Sequence, residues 1–255
     1  MTLRNLQKWH GAGNEFLVDV IEQGTAPWWT PERAAAVCNR STGVGADGLL
    51  LATVGSEVGM QLFNADGSIA EMSGNGIRCL VGAVRRATRA IWNTIDVTTD
   101  AGVRSVTLEM EGDHGTASVM MGQVTVGQPL EGTLGVANVG NPHVVVLDSP
   151  DWSTNDREVL AQALSDQVGG ANVEFVRVVG ESHLAISVIE RGVGWTQACG
   201  TGSCATAFIA RQAGISGSEV LIENPGGTLR VSLEGDVAIL SGPMQFVANV
   251  EWLEG

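Results

Sequence analysis

Two short stretches of this 255-residue chain join a side chain that can move a proton to the glycine-rich start of a helix. The first is SGNG at 73–76 and the second is CGTG at 199–202. Apolar residues recur at helical spacing after both stretches, so Ser73 and Cys199 are each predicted to be an N-cap residue. The free N–H groups of a helix start favour a bound anion, so each stretch predicts an acid–base group beside an anion site.

The two stretches belong to an internal repeat. Placing Cys199 on Ser73 sets an offset of 126 residues, the difference between positions 199 and 73, and this is close to half of the chain. Under that offset Asn64 falls on Glu190, and Ile69 falls on Trp195. Each half therefore reads as a strand, a turn-rich loop and a helix, with the strands MQLFN and HLAISVIE in matching places.

Short strand patterns with glycine-rich turns fill the rest of each half, for example VRSVTLEM, HVVVLD, EVLIE and TLRVSL. The sequence therefore predicts an α+β fold of two pseudo-symmetric lobes, each a mostly antiparallel sheet wrapped around one main helix. We expect an N-terminal lobe at 1–117 that carries Ser73 and is completed by a C-terminal strand at 244–255. The C-terminal lobe at 118–243 carries Cys199.

A pseudo-twofold axis would aim the two helix starts at one cleft, where they would bind a carboxylate together. Ser73 and Cys199 would then face the neighbouring carbon from opposite sides, as a two-base racemase requires. A thiol at a helix start is expected to have a lowered pKa. Taken singly, a buried cysteine or a capping serine is more often structural, but the repeated pair favours catalysis.

Ser73 is the weaker member of this pair, because a hydroxyl transfers protons poorly without a neighbouring base. The sequence does not place His10 beside it. Cys79 cannot replace it, since six residues further along a helix lie about 9 Å deeper.

The amino-acid composition limits which macromolecules, metals and cofactors the protein is expected to bind. The chain has 28 acidic and 14 basic residues, a net charge of -14, which argues against nucleic acid and anionic membranes. It has no run of 18 apolar residues and no signal-peptide pattern, so a cytoplasmic location is expected. The four cysteines show no metal-ligand or disulfide spacing. Lys8 is the only lysine, which argues against pyridoxal phosphate as a cofactor, so we expect neither metal nor cofactor.

Six blocks in order make the chain resemble the diaminopimelate epimerase family over its whole length. They are KWHGAGNEF, GVGADGLL, NADGSIAEMSGNGIRC, GNPHVVV, ANVEF and ERGVGWTQACGTGSCA. The resemblance implies cofactor-independent epimerisation of LL-2,6-diaminopimelate to the meso form, in lysine and peptidoglycan precursor synthesis, and it leaves room for a homodimer. It implies catalysis by Cys199 and Ser73. It also implies substrate contacts from Asn14, Asn64, Gly74, Asn75, Asn141, Asn172, Glu190, Arg191, Gly200 and Thr201.

Three positions depart from the family pattern. Ser73 stands where the family has its first catalytic cysteine. The sequence is compatible with a native serine and with a substitution introduced to trap an inactive enzyme. Trp195 replaces a common glutamate, and its repeat mate Ile69 favours an apolar packing role. Gly48 stands where some members have glutamine. The alternatives are a racemase, epimerase or dehydratase for another amino acid, or a catalytically silent amino-acid-binding protein of the same fold.

Overall fold

The structure is a computed structural model that describes residues 3–26 and 28–253. The chain forms two compact units. The first runs to Val119 and includes the segment from Gly242 onward, and the second is Met120–Ser241. Within the described residues, each unit is an α+β structure with two helices.

The first unit contains most of the N-terminal elements. Its strands are β1 (Leu3–Gly11), β2 (Asn14–Glu22), β3 (Gly48–Val54), β4 (Val58–Asn64), β5 (Ile69–Ala70), β6 (Thr94–Thr99) and β7 (Gly102–Glu111), followed by β8 (His114–Gln123), which ends in the second unit. Its helices are α1 (Pro31–Cys38) and α2 (Gly74–Thr88). Most neighbouring strands pair antiparallel, while β2 pairs with β3 and β4 with β6 in parallel.

The second unit repeats this order. Its strands are β9 (Thr125–Val126), β10 (Gly135–Asn138), β11 (Pro142–Leu147), β12 (Asn172–Gly180), β13 (His183–Glu190), β14 (Gly194–Thr196), β15 (Glu219–Asn224) and β16 (Gly227–Glu234), and its helices are α3 (Thr154–Gln167) and α4 (Gly200–Gln212). The last strand, β17 (Val237–Leu253), begins in the second unit and ends in the first. Residues 254 and 255 of the expected C-terminal strand lie outside the described residues.

The internal repeat is confirmed down to strand register. In the first unit Phe63 of β4 pairs with Ile69 of β5, and in the second unit Ile189 of β13 pairs with Trp195 of β14. Both pairs are separated by the 126-residue offset, and α2 and α4 begin at matching positions. The α+β class and the sheet packed around a main helix in each unit are therefore confirmed.

Each unit also has a second helix, which the sequence-based prediction of one main helix per lobe did not include. Thr30 caps α1 ahead of a proline at the first turn, and Ser153 with Asp156 forms a capping box at the start of α3. These are local signals that could have revealed both helices. The second helix explains why β3, with the sequence GLLLATV, is almost wholly apolar, because α1 and α2 both pack against it.

None of the helices among the described residues is long and apolar enough to cross a membrane.

Candidate active site

Ser73 is the N-cap residue of α2, as the sequence predicts. Its backbone is extended, with φ −136° and ψ 125°. Its hydroxyl oxygen accepts a hydrogen bond from the Gly76 N–H at 3.0 Å. The side chain is half-buried, and within the described part of the first unit no carboxylate or imidazole hydrogen-bonds to it. Ser73 is therefore held in place by the helix start but has no partner there that would activate its hydroxyl.

Cys199 occupies the same position at the start of α4. Its backbone angles, φ −121° and ψ 112°, resemble those of Ser73, and its sulfur accepts a hydrogen bond from the Gly202 N–H at 3.4 Å. The Thr201 hydroxyl lies 3.5 Å from the sulfur, and the Asn172 amide nitrogen lies 4.0 Å from it. The two N-caps thus share one local geometry, and the thiol has the richer polar surroundings.

The structure corrects one prediction about Cys199. The sequence suggested a thiol with a lowered pKa, but the pKa of Cys199 is raised well above its ordinary value of 9.0. Burial is the main cause, and the nearby carboxylates of Glu190 and Glu174 act in the same direction. The hydrogen bonds from Thr201 and Gly202 lower the pKa but do not outweigh burial and charge. Cys199 therefore rests as a thiol.

Glu190 is a carboxylate that interacts directly with Cys199. It ends β13, accepts a hydrogen bond from the Thr196 hydroxyl at 2.8 Å, and forms a hydrogen bond with Cys199. Burial raises the pKa of Glu190, and the charge of Glu174 adds to that effect. A carboxylate with a raised pKa is a better base than an ordinary one, so Glu190 can exchange a proton with the Cys199 thiol.

Three other sequence-predicted residues lie in the second unit, and one of them, Asn172, approaches the thiol. Asn172 accepts a hydrogen bond from the Arg191 N–H at 3.0 Å, which ties β12 to the turn after β13. The Arg191 guanidinium is exposed and reaches the Gly170 carbonyl, at 3.5 Å. No carboxylate within the described residues forms an ion pair with it, so it is available to a ligand. Asn141 lies 3.0 Å from a ring nitrogen of His143.

The predicted residues of the first unit are arranged differently. The Asn75 amide donates to the Asn14 side-chain oxygen at 3.3 Å, and Asn14 in turn donates to Asp47 at 2.8 Å. These contacts bring Asn14 to the first turn of α2, beside Gly74. Asn64 is exposed and holds the turn after β4 through Ser68, at 2.9 Å. The structure brings Asn14 and Asn75 together, whereas Asn64 is a turn residue at the end of a strand.

Sequence reasoning missed three buried polar residues at the helix starts. Arg78 is fully buried and donates to the Gly74 carbonyl at 2.9 Å and to the Asn75 side-chain oxygen at 2.7 Å. His143 and Glu174 are fully buried and lie 2.7 Å apart. Each residue stands in a block that the family resemblance covers, but its polarity inside an otherwise apolar strand or helix is the only local signal.

Three further residues considered in the sequence analysis, Cys79, Trp195 and His10, make no contact with Ser73 or Cys199 that the structure describes. Cys79 is buried and its pKa is raised to about 12 by burial, so it is not a reactive thiol. The Trp195 ring lies 6.2 Å from the Phe175 ring, but the residue is 39% exposed and its N–H donates to Glu158 at 2.8 Å, so its packing role stays a prediction. His10 lines a surface cavity of about 550 Å³ with Glu109 and His114. No three metal-binding side chains cluster anywhere in residues 3–26 and 28–253.

Solved structures of other proteins share the fold of this chain. A Bacillus anthracis phenazine biosynthesis protein of the PhzF family superimposes with a TM-score of 0.76 over all of both chains, at 14% identity. A hydroxyproline epimerase from Agrobacterium vitis gives a TM-score of 0.72 over 98% of this chain and 92% of that one, also at 14% identity. The chain therefore has the fold shared by these proteins.

Sequence comparison resolves the family. The diaminopimelate epimerase family model matches residues 6–127 and 135–247. A diaminopimelate epimerase of Desulforudis audaxviator is 34% identical over 96% of this chain and 98% of its own length, and one of Synechocystis is 33% identical over 95% and 96%. The chain belongs to the diaminopimelate epimerase family and is an isomerase of the epimerase type.

Proposed function

We propose that this protein converts LL-2,6-diaminopimelate to the meso form by moving the α-proton between Cys199 and the opposite face of the substrate, without pyridoxal phosphate. The observation that carries the proposal is the matched pair of helix N-caps. Ser73 and Cys199 stand at the same position of the repeat, with the same backbone conformation, in a chain of the diaminopimelate epimerase family. Curated relatives with this name cover nearly all of the chain.

On the Cys199 side, the residues supply an acid that can become a base. The buried thiol holds its proton in the free protein, and Glu190 is hydrogen-bonded to it. When the substrate brings its ammonium group near, that positive charge stabilises a thiolate and a carboxylate alike. Glu190 then takes the thiol proton, and the thiolate removes the α-proton. The N–H groups at the start of α4 stabilise the charge that develops on the substrate carboxylate.

The Ser73 side supplies the same helix start but a weaker acid. Gly74 and Asn75 lie in the first turn of α2, where backbone N–H groups can bind the reacting carboxylate. The hydroxyl of Ser73, or a water molecule beside it, has to return the proton on this face. A hydroxyl without a neighbouring base is slow in both directions, so removal of the α-proton at Cys199 should exceed net inversion.

The substrate has a second amino-acid end, which needs its own partners. The exposed guanidinium of Arg191 can bind a distal carboxylate through two hydrogen bonds. Asn64, which falls on Glu190 in the repeat, and Asn172 can accept from or donate to the distal groups. These residues favour a diamino diacid over a simple amino acid.

The proposal is tested by two measurements on the same samples. Deuterium uptake at the α-carbon from D₂O reports proton removal, and chiral chromatography reports inversion. We expect both with LL- and meso-diaminopimelate, and uptake in excess of inversion. Exchange with another amino acid instead would support the racemase or dehydratase alternative. Binding without any exchange would support a silent binding protein.

A further inference from the structure

Glu174 is a fully buried carboxylate that the function described above does not use. It lies on β12, where side chains alternate between the two faces of the sheet. Val173 and Phe175 belong to the apolar core that includes Ala161 and Leu164 of α3. Glu174 must therefore face the other side, and there it lies against the first turn of α4. A Cβ atom on Gly202 would come within 2.5 Å of its Oε1 atom.

The hydrogen-bonding partners around Glu174 indicate which nitrogens of the His143 ring carry hydrogens. Its Oε1 lies 2.7 Å from Nδ1 of His143, and Nε2 of the same ring lies 3.0 Å from the side-chain oxygen of Asn141. A carboxylate oxygen and an amide oxygen both accept hydrogen bonds and do not donate them. Both ring nitrogens therefore face acceptors, and this arrangement fits a ring that donates from both.

The electrostatic surroundings favour the same state. A carboxylate with no exposed surface is strongly destabilised unless a positive group compensates it. Within the described part of the chain, the other titratable groups that interact with this pair are Glu190 at the end of β13 and Cys199 at the start of α4, and neither is a cation. The start of α4 adds only a partial positive charge. Among the described residues, His143 is the group that pairs with Glu174 and can carry a full positive charge.

We propose that Glu174 is a positioning residue: its carboxylate holds His143 with both ring nitrogens protonated, and His143 in turn fixes the Asn141 amide with its NH₂ group turned away from the ring. The NH₂ group is then free to donate to a substrate oxygen. This last step rests on the proposed substrate contact of Asn141. A neutral His143 would instead accept at Nε2, the amide would turn over to donate to it, and the donor to the substrate would be lost.

Nitrogen NMR of the intact protein tests the charge state without any substrate. The protein is labelled with ¹⁵N-histidine, and His143 is assigned among the four histidines from the signal that disappears in His143→Gln. We expect both ring nitrogens of His143 to be protonated at pH 7.5 in the unchanged protein. In Glu174→Gln, which keeps the shape and removes the charge, we expect a neutral ring with one unprotonated nitrogen.

The chain offers a matched control. His183 and Glu223 form a second histidine–glutamate pair in the same unit, with 3.0 Å between Nε2 and Oε1, and both side chains are partly exposed. Glu223→Gln should leave the His143 signals and the kinetics unchanged. Glu174→Asp, which restores a charge on a shorter side chain, should return His143 partly to the doubly protonated form.

Kinetics give the second readout. In Glu174→Gln we expect KM for the substrate to rise by more than kcat falls, with roughly a tenfold or greater loss of kcat/KM, the value of one hydrogen bond to a charged group. A neutral His143 in the unchanged protein would overturn the proposal, even if the protein proves to be an active epimerase. Unaltered His143 signals in Glu174→Gln would also overturn it. If the NMR result is as expected but no diaminopimelate is turned over, the proposed function fails and the Glu174–His143 assignment stands.

Discussion

Changing Ser73 to cysteine is the sharpest test of the two N-caps. The perturbation is small, because Cys199 shows how sulfur fits this position: its contact with the Gly202 N–H is 3.4 Å, against 3.0 Å for the Ser73 oxygen and Gly76. The longer carbon–sulfur bond takes up such a difference without a change of backbone. We therefore expect Ser73→Cys to fold normally and to place a thiol at the start of α2.

The size of the effect follows from the surroundings. The charged group buried under this helix start is the Arg78 guanidinium, bonded to the carbonyl of Gly74, whereas Cys199 is surrounded by carboxylates. A thiol at position 73 should ionise at lower pH than Cys199, so one thiolate and one thiol would be present together. Positioned acid–base groups contribute about 10²–10⁴-fold to rate, and we expect inversion to rise within that range.

The assay follows inversion and deuterium uptake from LL- and meso-diaminopimelate in parallel. Ser73→Ala is the control for loss of the hydroxyl and should keep exchange at the Cys199 face. The exchanged variant, Ser73→Cys with Cys199→Ser, should reverse which stereoisomer takes up deuterium faster. The reasoning is refuted if the unchanged protein inverts as fast as Ser73→Cys, because Ser73 would then have an activating partner.

Three further predictions concern other parts of the chain. Arg191→Ala should lower kcat/KM for diaminopimelate by roughly 10- to 150-fold, the equivalent of about 1.5–3 kcal/mol of lost binding. Arg177→Ala, which removes another exposed arginine, should leave kcat/KM unchanged in the same assay. Burial raises the pKa of Cys79 to about 12, so the folded state keeps a proton that the unfolded chain loses. Stability to urea should therefore fall as pH rises above about 9, by up to about 1.4 kcal/mol per pH unit for this thiol, and fall less in Cys79→Ala. Gly202→Ala, whose Cβ has no room, should unfold about 1–3 kcal/mol more easily, whereas Gly217→Ala has space and should not.

The sequence determined much of the fold because the informative signals are local. An N-cap depends on one side chain and the next three N–H groups, so SGNG and CGTG predict two helix starts, and both are observed at Ser73 and Cys199. The repeat depends on spacing alone. It predicts that Ile69 and Trp195 occupy matching positions, and the structure places them in matching strands, β5 and β14. The helices α1 and α3 had local signals as well, in Thr30 and Ser153.

The protonation state of Cys199 was decided by the tertiary structure. A helix start lowers the pKa of a thiol, and that much is visible in the sequence. Burial and two carboxylates raise it, and these come from β12 and β13, which lie far from α4 along the chain. The non-local contributions are the larger ones in this site, because desolvation of a thiolate in a packed interior outweighs one or two hydrogen bonds.

The pair of Glu174 and His143 shows the same limit more clearly. The two residues are separated by 31 positions and meet because β11 and β12 pair in parallel, with His143 opposite Asn172. In the sequence each looks like a polar interruption of an apolar strand. The sheet register brings the two side chains together, both are fully buried, and Glu174 lies against α4 at Gly202. A hydrogen bond between them is stronger there than it would be in water.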